Sequence, residues 1–189
     1  MKQYGLQNPF RLSAQATRQL GSSYTDLTVY GETPWITLER MLKAVDFKPG
    51  EHFVELGAGT GRNLLWVAYY MQSPATGFEL VPDFVSRFQE LLTSSRLPES
   101  SQPMQLQQQN WFEADFDALA GDVFLLVGTC YDDHHRQKAS DCLQQLKPGQ
   151  RVITVSYALP SQDFVLLSSF TAPFSWGKGT VYVHERRAL

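Results

Sequence analysis

Three glycines, Gly57, Gly59 and Gly61, follow a short apolar run at 53–56 and lead directly into a second apolar run that begins at Arg62. Because glycine has no Cβ, the backbone of such a turn can approach a bound ligand closely. A helix that begins at the turn adds unpaired N–H groups and a partial positive charge, which favour a phosphate or a carboxylate. The spacing therefore predicts a strand, a ligand-binding turn and a helix in succession.

Three further side chains could complete a site for a nucleoside-containing cofactor. Glu79 stands 24 residues after Glu55, at the end of a second predicted strand. A carboxylate there can accept hydrogen bonds from both hydroxyls of a ribose. Asn110 follows the third predicted strand, where its amide could pair with an adenine edge, and Trp111 could cover the ring.

Two common uses of a glycine-rich turn do not fit this pattern. The fingerprint of nicotinamide-dinucleotide enzymes requires a third glycine three residues after the second, and Arg62 occupies that position. No Lys followed by Ser or Thr comes after the turn, which argues against a P-loop. An oxidoreductase with a nucleotide cofactor is thus a weaker alternative.

Apolar periodicity and turn residues predict the elements that position these groups. Strands and helices alternate from about residue 33, and two strands then follow without a helix between them. This order is typical of an α/β protein with a largely parallel sheet and an antiparallel terminal hairpin. The predicted strands lie at 52–56, 75–80, 104–106, 122–127, 151–156, 163–170 and 180–184, and the predicted helices at 34–45, 62–70, 82–92 and 133–146.

Composition limits the class of protein and of partner. The 189 residues, of which 43% are hydrophobic and 13% aromatic, are typical of one folded domain. The formal net charge of −3 argues against a nucleic-acid partner, because phosphate neutralisation requires clustered Lys and Arg. The longest apolar run, at 64–71, is too short to cross a membrane. With two cysteines and no secretory signal, a cytoplasmic location is expected.

The segment Phe-Val-Glu-Leu-Gly-Ala-Gly-Thr-Gly at 53–61 resembles motif I of the class I methyltransferases, which use S-adenosylmethionine. Glu79 matches the acidic residue that this family carries after its second strand, and Gln-Asn-Trp-Phe at 109–112 is similar to its adenine-binding segment. The Lys-Pro-Gly-Gln-Arg turn at 147–151 also matches. Within the family, Val-Tyr-Gly-Glu-Thr at 29–33 resembles the cofactor-covering loop of the seven-strand protein-lysine methyltransferases.

The resemblance implies a Rossmann-like, doubly wound α/β sheet of about seven strands and an S-adenosylmethionine-dependent methyltransferase. It implies a methyltransferase domain at 33–189 and an N-terminal extension at 1–32 that covers the cofactor. The cofactor-binding set that it implies comprises Glu55 near the amino group, Gly57, Gly59 and Gly61 at the turn, Glu79 at the ribose, and Asn110 with Trp111 at the adenine.

The methyl acceptor is expected beyond the carboxyl end of the fourth strand, where Tyr131 and Asp132 would face it. Tyr30 and Glu32 would contribute from a lid, so these four residues form the predicted catalytic set. No metal is expected in the Asp-Asp-His-His run at 132–135, because adjacent helical side chains point about 100° apart, and Asp133 is expected to cap the helix. A protein side chain or a small molecule is the predicted acceptor. A binding protein without turnover is the alternative.

Overall fold

One sheet of seven strands organises the computed structural model, which describes residues 8–21, 24–94, 102–116 and 118–188. The strands are β1 (Phe53–Leu56), β2 (Ala75–Glu79), β3 (Met104–Gln108), β4 (Val123–Val127), β5 (Arg151–Val155), β6 (Phe164–Phe174) and β7 (Gly177–Arg186). Their order is β3-β2-β1-β4-β5-β7-β6. The first five strands are parallel, and β7 is antiparallel to both β5 and β6. The predicted fold class is confirmed.

Apolar side chains on both faces of the sheet build two cores. Neighbouring residues of β1, Phe53 and Val54, belong to different cores because successive side chains of a strand point to opposite faces. Helices α2 (Trp35–Ala44), α3 (Arg62–Tyr70) and α4 (Pro82–Ser94) contribute to one core, and α5 (Asp133–Leu143) contributes to the other. The sheet is therefore doubly wound, as predicted.

A further helix, α1 (Pro9–Leu20), lies in the region for which the sequence predicted no element. The Asn8 side chain caps this helix by accepting a hydrogen bond of 2.9 Å from the Phe10 N–H. Leu12 of α1 is buried against Phe84 of α4. The buried face of α1 is made of Leu12, Ser13 and Ala16, so few large apolar side chains mark this helix in the sequence. The Asn-Pro pair at 8–9 is the usual signal for a helix start and could have indicated it.

The terminal hairpin is longer than predicted. It includes Pro173, which has no backbone N–H to donate. A proline is tolerated here because β6 is the outer strand of the sheet. The extra length places the turn at Ser175 and Trp176 beside the segment 31–32.

The structure describes only part of the predicted extension at 1–32, because residues 1–7, 22 and 23 lie outside the described residues. In the described parts of the chain, none of the helices combines the length and apolar character that a bilayer crossing requires.

Candidate active site

A cavity of about 250 Å³ lies at the carboxyl ends of the central strands β1 and β4. This is the edge at which open α/β sheets bind ligands. It brings together segments that are far apart in the chain. The lining residues are 26–33, 55–60, 62, 63, 79, 84, 127, 129–131 and 176.

The glycine turn has two parts with different roles. Gly57 (φ +85°), Gly59 (φ +54°) and Gly61 (φ +73°) all lie in the left-handed region that favours glycine. Gly57 and Gly59 line the cavity. Gly61 is not among the lining residues, and a Cβ there would lie 2.4 Å from the ring of Phe88. The absence of a Cβ at Gly61 therefore lets the start of α3 pack against Phe88 of α4. Gly57 and Gly59, by contrast, expose bare backbone to the cavity.

The carboxylate of Glu79 holds the glycine turn in place. Its Oε2 accepts a hydrogen bond of 2.7 Å from the Gly59 N–H, and its Oε1 accepts one of 2.8 Å from the Val81 N–H. Burial raises the pKa of Glu79, and these N–H groups partly offset the rise. Each carboxylate oxygen has a second lone pair, so the group can accept further hydrogen bonds from a ligand.

Glu55 and Asn63 form a buried polar pair in the cavity wall. The Asn63 Nδ2 donates a hydrogen bond of 2.7 Å to Glu55 Oε1. Glu55 Oε2 and Asn63 Oδ1 have no hydrogen-bond partner among the described residues. Burial raises the pKa of Glu55 to about 8. Asn63 was not among the predicted site residues, although a polar side chain inside the apolar run of α3 was a signal.

A smaller pocket shares Leu27, Gly57, Glu79 and Tyr131 with the main cavity. Asn110 and Trp111 line this pocket and not the main one. The Asn110 Oδ1 accepts a hydrogen bond of 3.2 Å from the Phe112 N–H and so caps a short 3₁₀ turn at 111–113.

Trp111 is buried, and its Nε1–H donates a hydrogen bond of 3.1 Å to the Tyr131 hydroxyl. Tyr131 therefore lies between the two pockets. Burial raises the pKa of its hydroxyl well above the ordinary range, so the group remains protonated at neutral pH.

The segment 29–33, which we term the strap, covers the outer side of the cavity. The Tyr30 hydroxyl donates a hydrogen bond of 2.8 Å to Glu32 Oε1, and Arg62 forms a salt bridge with Glu32 Oε2. The Glu32 N–H donates to Ser175 Oγ at 2.8 Å, and the Ser175 N–H donates to Glu32 O at 3.0 Å. The structure thus brings both predicted lid residues, Tyr30 and Glu32, to the cavity, where their polar groups pair with each other.

Asp132 is placed differently from the other predicted catalytic residues. It is exposed, and it is not among the residues that line the cavity. Its Oδ1 accepts a hydrogen bond of 2.7 Å from the His135 N–H, which also lowers the pKa of Asp132. Asp132 is therefore the N-cap of α5, rather than the expected Asp133. Its backbone is extended, which lets its side chain accept a hydrogen bond from an N–H of the first helical turn.

Asp132 and His135 also approach Asp26, and one ligand atom from each of the three residues lies within 4.8 Å of the others. The His135 ring nitrogen Nδ1 is 2.9 Å from Asp132 Oδ1 and 4.0 Å from Asp26 Oδ2.

Comparison with known proteins decides the family. The family model described as "Histone methylation protein DOT1" matches residues 14–171, which is most of the chain. The chain belongs to this DOT1 family. It is accordingly an S-adenosylmethionine-dependent methyltransferase with S-adenosylmethionine as its cofactor, which confirms the resemblance to the seven-strand protein-lysine methyltransferases. A search of curated proteins found no significant match.

Solved structures share the fold of this DOT1-family chain at low sequence identity. An RNA methyltransferase from Salinibacter ruber, in complex with S-adenosyl-L-homocysteine, is 23% identical with a TM-score of 0.67, and the match covers 84% of this chain and 95% of the other. TrmN from Thermus thermophilus is 17% identical with a TM-score of 0.61, and the match covers 80% of this chain and 48% of the other. An S-adenosylmethionine-dependent methyltransferase from Methanosarcina mazei is 12% identical with a TM-score of 0.62, and the match covers 85% of this chain and 100% of the other. These similarities establish the methyltransferase fold.

Proposed function

We propose that the cavity holds S-adenosylmethionine with its amino-acid part at Glu55, Asn63 and the bare backbone of Gly57 and Gly59. The unpaired oxygens of Glu55 and Asn63 carry this proposal, because a buried acceptor without a partner suits a ligand ammonium. Glu79 would accept hydrogen bonds from the ribose hydroxyls.

Asn110 and Trp111 would contact the adenine beside Glu79, where they line the smaller pocket, and this pocket of about 20 Å³ would have to widen to admit the ring. Gly61 supports this site by allowing α3 to pack against Phe88. The strap and the described part of the predicted extension 1–32 would cover the cofactor from outside.

Bound S-adenosylmethionine supplies an electrophilic methyl group on a sulfonium. The residues then have to hold an acceptor in line with that methyl and exclude water, and such positioning provides much of the rate in a displacement. Tyr131 would donate a hydrogen bond to a bound group, because its raised pKa keeps it protonated. Tyr30 and Glu32 would shape the cavity wall from the strap. The catalytic role of Asp132 stays a prediction that no contact of its side chain with the cavity supports.

For the acceptor, we propose an amine of a protein side chain. Three exposed apolar side chains lie at or next to the cavity lining: Val29 and Trp176 line the cavity, and Trp35 lies beside the lining residue Arg62. Contiguous exposed apolar surface is typical of sites that dock another protein. Asp26 also lines the cavity, where a carboxylate favours the approach of an ammonium group, which has to release a proton to solvent before its nitrogen lone pair can attack the methyl and displace S-adenosylhomocysteine. The family description, which names histone methylation, agrees with a protein acceptor.

The test is to incubate the purified protein with S-adenosylmethionine labelled in its methyl group and a cell extract. We expect label in protease-sensitive material, and mass spectrometry of the labelled band would place the methyl on a nitrogen. The Glu79→Ala variant is the control for cofactor dependence. Label in nuclease-sensitive material, or in no fraction although the cofactor binds, would overturn the protein acceptor.

A small-molecule acceptor is the second candidate. Thr129, Cys130 and Tyr131 line the main cavity after β4, where a compact acceptor could contact them beside the cofactor. Label in the low-molecular-weight fraction alone would select this candidate.

We also propose a cytoplasmic location, because Cys130 and Cys142 are both free thiols. Fractionation of cells that express the tagged chain tests this.

A further inference from the structure

Arg62, the first residue of α3, connects the glycine turn to the strap. Its guanidinium forms a salt bridge with Glu32 Oε2 and lies 5.1 Å from the centroid of the Trp35 ring. The side chains of Arg62 and Glu32 are 30% and 35% exposed, so solvent screens this pair less than a fully exposed one.

Glu32 connects Arg62 to Tyr30, which lines the cavity. Its second oxygen, Oε1, accepts the hydrogen bond from Tyr30. The ring of Tyr30 covers the bare backbone of Gly59, where an added Cβ would lie 3.1 Å from it. Arg62 therefore fixes the carboxylate that orients the aromatic ring over the cofactor-binding turn.

We propose that Arg62 is a positioning residue that keeps the strap closed over the cofactor through Glu32 and thereby slows cofactor release. The proposal rests on the cofactor site assigned under the proposed function. A second attachment joins the backbone N–H and C=O of Glu32 to the Oγ and N–H of Ser175, and it does not involve Arg62 or the Glu32 carboxylate. Loss of the Arg62 contact is therefore expected to loosen the strap without unfolding the protein.

The experiment measures the dissociation rate of S-adenosylhomocysteine by stopped flow in the wild type, Arg62→Gln, Glu32→Gln and the double variant. We expect about tenfold faster release in each single variant. The double variant should release no faster than the singles, because the two side chains act as one unit. Hydrogen exchange should speed up in the amides of 29–33, while the amides of the central strands remain protected.

Lys43→Gln is the matched control, since it removes an exposed salt bridge of 2.6 Å to Glu39 on α2, outside the cavity lining. It should leave both the release rate and the strap exchange unchanged.

Three outcomes would overturn the proposal. Wild-type release and exchange in Arg62→Gln would show that the contact does not hold the strap. Additive effects in the double variant would show that Arg62 acts on the cofactor directly rather than through Glu32. If the wild type itself fails to bind S-adenosylhomocysteine, the proposed cofactor site is wrong and this proposal falls with it. Normal wild-type binding with an unaffected Arg62→Gln variant overturns the positioning role alone.

Discussion

Asn63 donates a hydrogen bond to Glu55 in the cavity wall and leaves one oxygen on each side chain unpaired among the described residues. A buried acceptor without a partner costs on the order of 1–3 kcal/mol. An ammonium group has three N–H donors and can satisfy both oxygens at once when Glu55 is ionised. In the proposed site, this pair would therefore link the stability of the ligand-free protein to its affinity for the cofactor.

Binding of S-adenosylhomocysteine should strengthen as pH rises from about 5.5 to 7.5. The pKa of Glu55 is raised to about 8 by burial, so the carboxyl is protonated in the free protein and has to lose its proton to pair with an ammonium. The ligand ammonium itself stays charged throughout this pH range, because the adjacent carboxylate of an amino acid stabilises it. Calorimetry in buffers of different ionisation enthalpy should detect release of close to one proton per ligand at neutral pH.

The control for this linkage is Glu55→Gln, which cannot exchange a proton. Its affinity should be weaker than that of the wild type at pH 7.5 and independent of pH over the same range. Wild-type binding with no pH dependence and no proton release would contradict the assigned role of Glu55.

The same substitution should stabilise the ligand-free protein at alkaline pH. The folded pKa of Glu55 is raised, so the stability that it contributes is present below the unfolded pKa and is lost as pH rises through about 8. At pH 8 the free energy of unfolding of Glu55→Gln should exceed that of the wild type by about 4 kcal/mol, since the pKa of Glu55 rises from 4.5 to about 8 and one pKa unit is about 1.4 kcal/mol. Denaturant unfolding at pH 5 and pH 8 measures this, and the difference between the two proteins should shrink at pH 5.

Local patterns were sufficient to predict the fold and several of the residues that line the main cavity. Each of these features can be recognised from a few neighbouring residues: the apolar strands, the glycine turn and Glu79. The resemblance to the methyltransferase family then indicated how they combine in one fold. The Arg62–Glu32 contact joins residues that are 30 positions apart, and nothing in either local pattern indicates the partner. The cap formed by Asp132 likewise depends on a backbone angle that the neighbouring Asp133 could equally have adopted.

Gly57→Ala and Gly50→Ala should separate backbone strain from ligand contact. Gly57 and Gly50 have nearly equal φ angles, +85° and +86°, and an added Cβ would meet no atom within 4 Å at either position. Both variants should lose about 1–2 kcal/mol of stability from the left-handed backbone. Only Gly57→Ala should also weaken S-adenosylhomocysteine binding, which calorimetry would measure. Equal affinities in the two variants would remove Gly57 from the cofactor site.

Glu79→Ala should weaken cofactor binding by about 1–3 kcal/mol, the range for removing a partner from buried polar groups. The change removes the proposed acceptor for the ribose hydroxyls and also leaves the N–H groups of Gly59 and Val81 without their carboxylate acceptor. Glu90→Ala, at an exposed position of α4, is the control that should keep wild-type affinity. An unchanged dissociation constant for Glu79→Ala would exclude Glu79 from the site.

His184 should make the protein sensitive to acid. Its side chain is buried, Nε2 accepts a hydrogen bond of 3.1 Å from the Leu159 N–H, and burial lowers its pKa to about 4. A lowered folded pKa gives stability that is present above the unfolded value of about 6.5 and is lost as pH falls towards 4. His184→Gln should therefore show a shallower fall in unfolding free energy between about pH 6.5 and 4.5 than the wild type. His134→Gln, at an exposed position, should retain the wild-type slope. Equal slopes in all three proteins would show that protonation of His184 does not drive the acid transition.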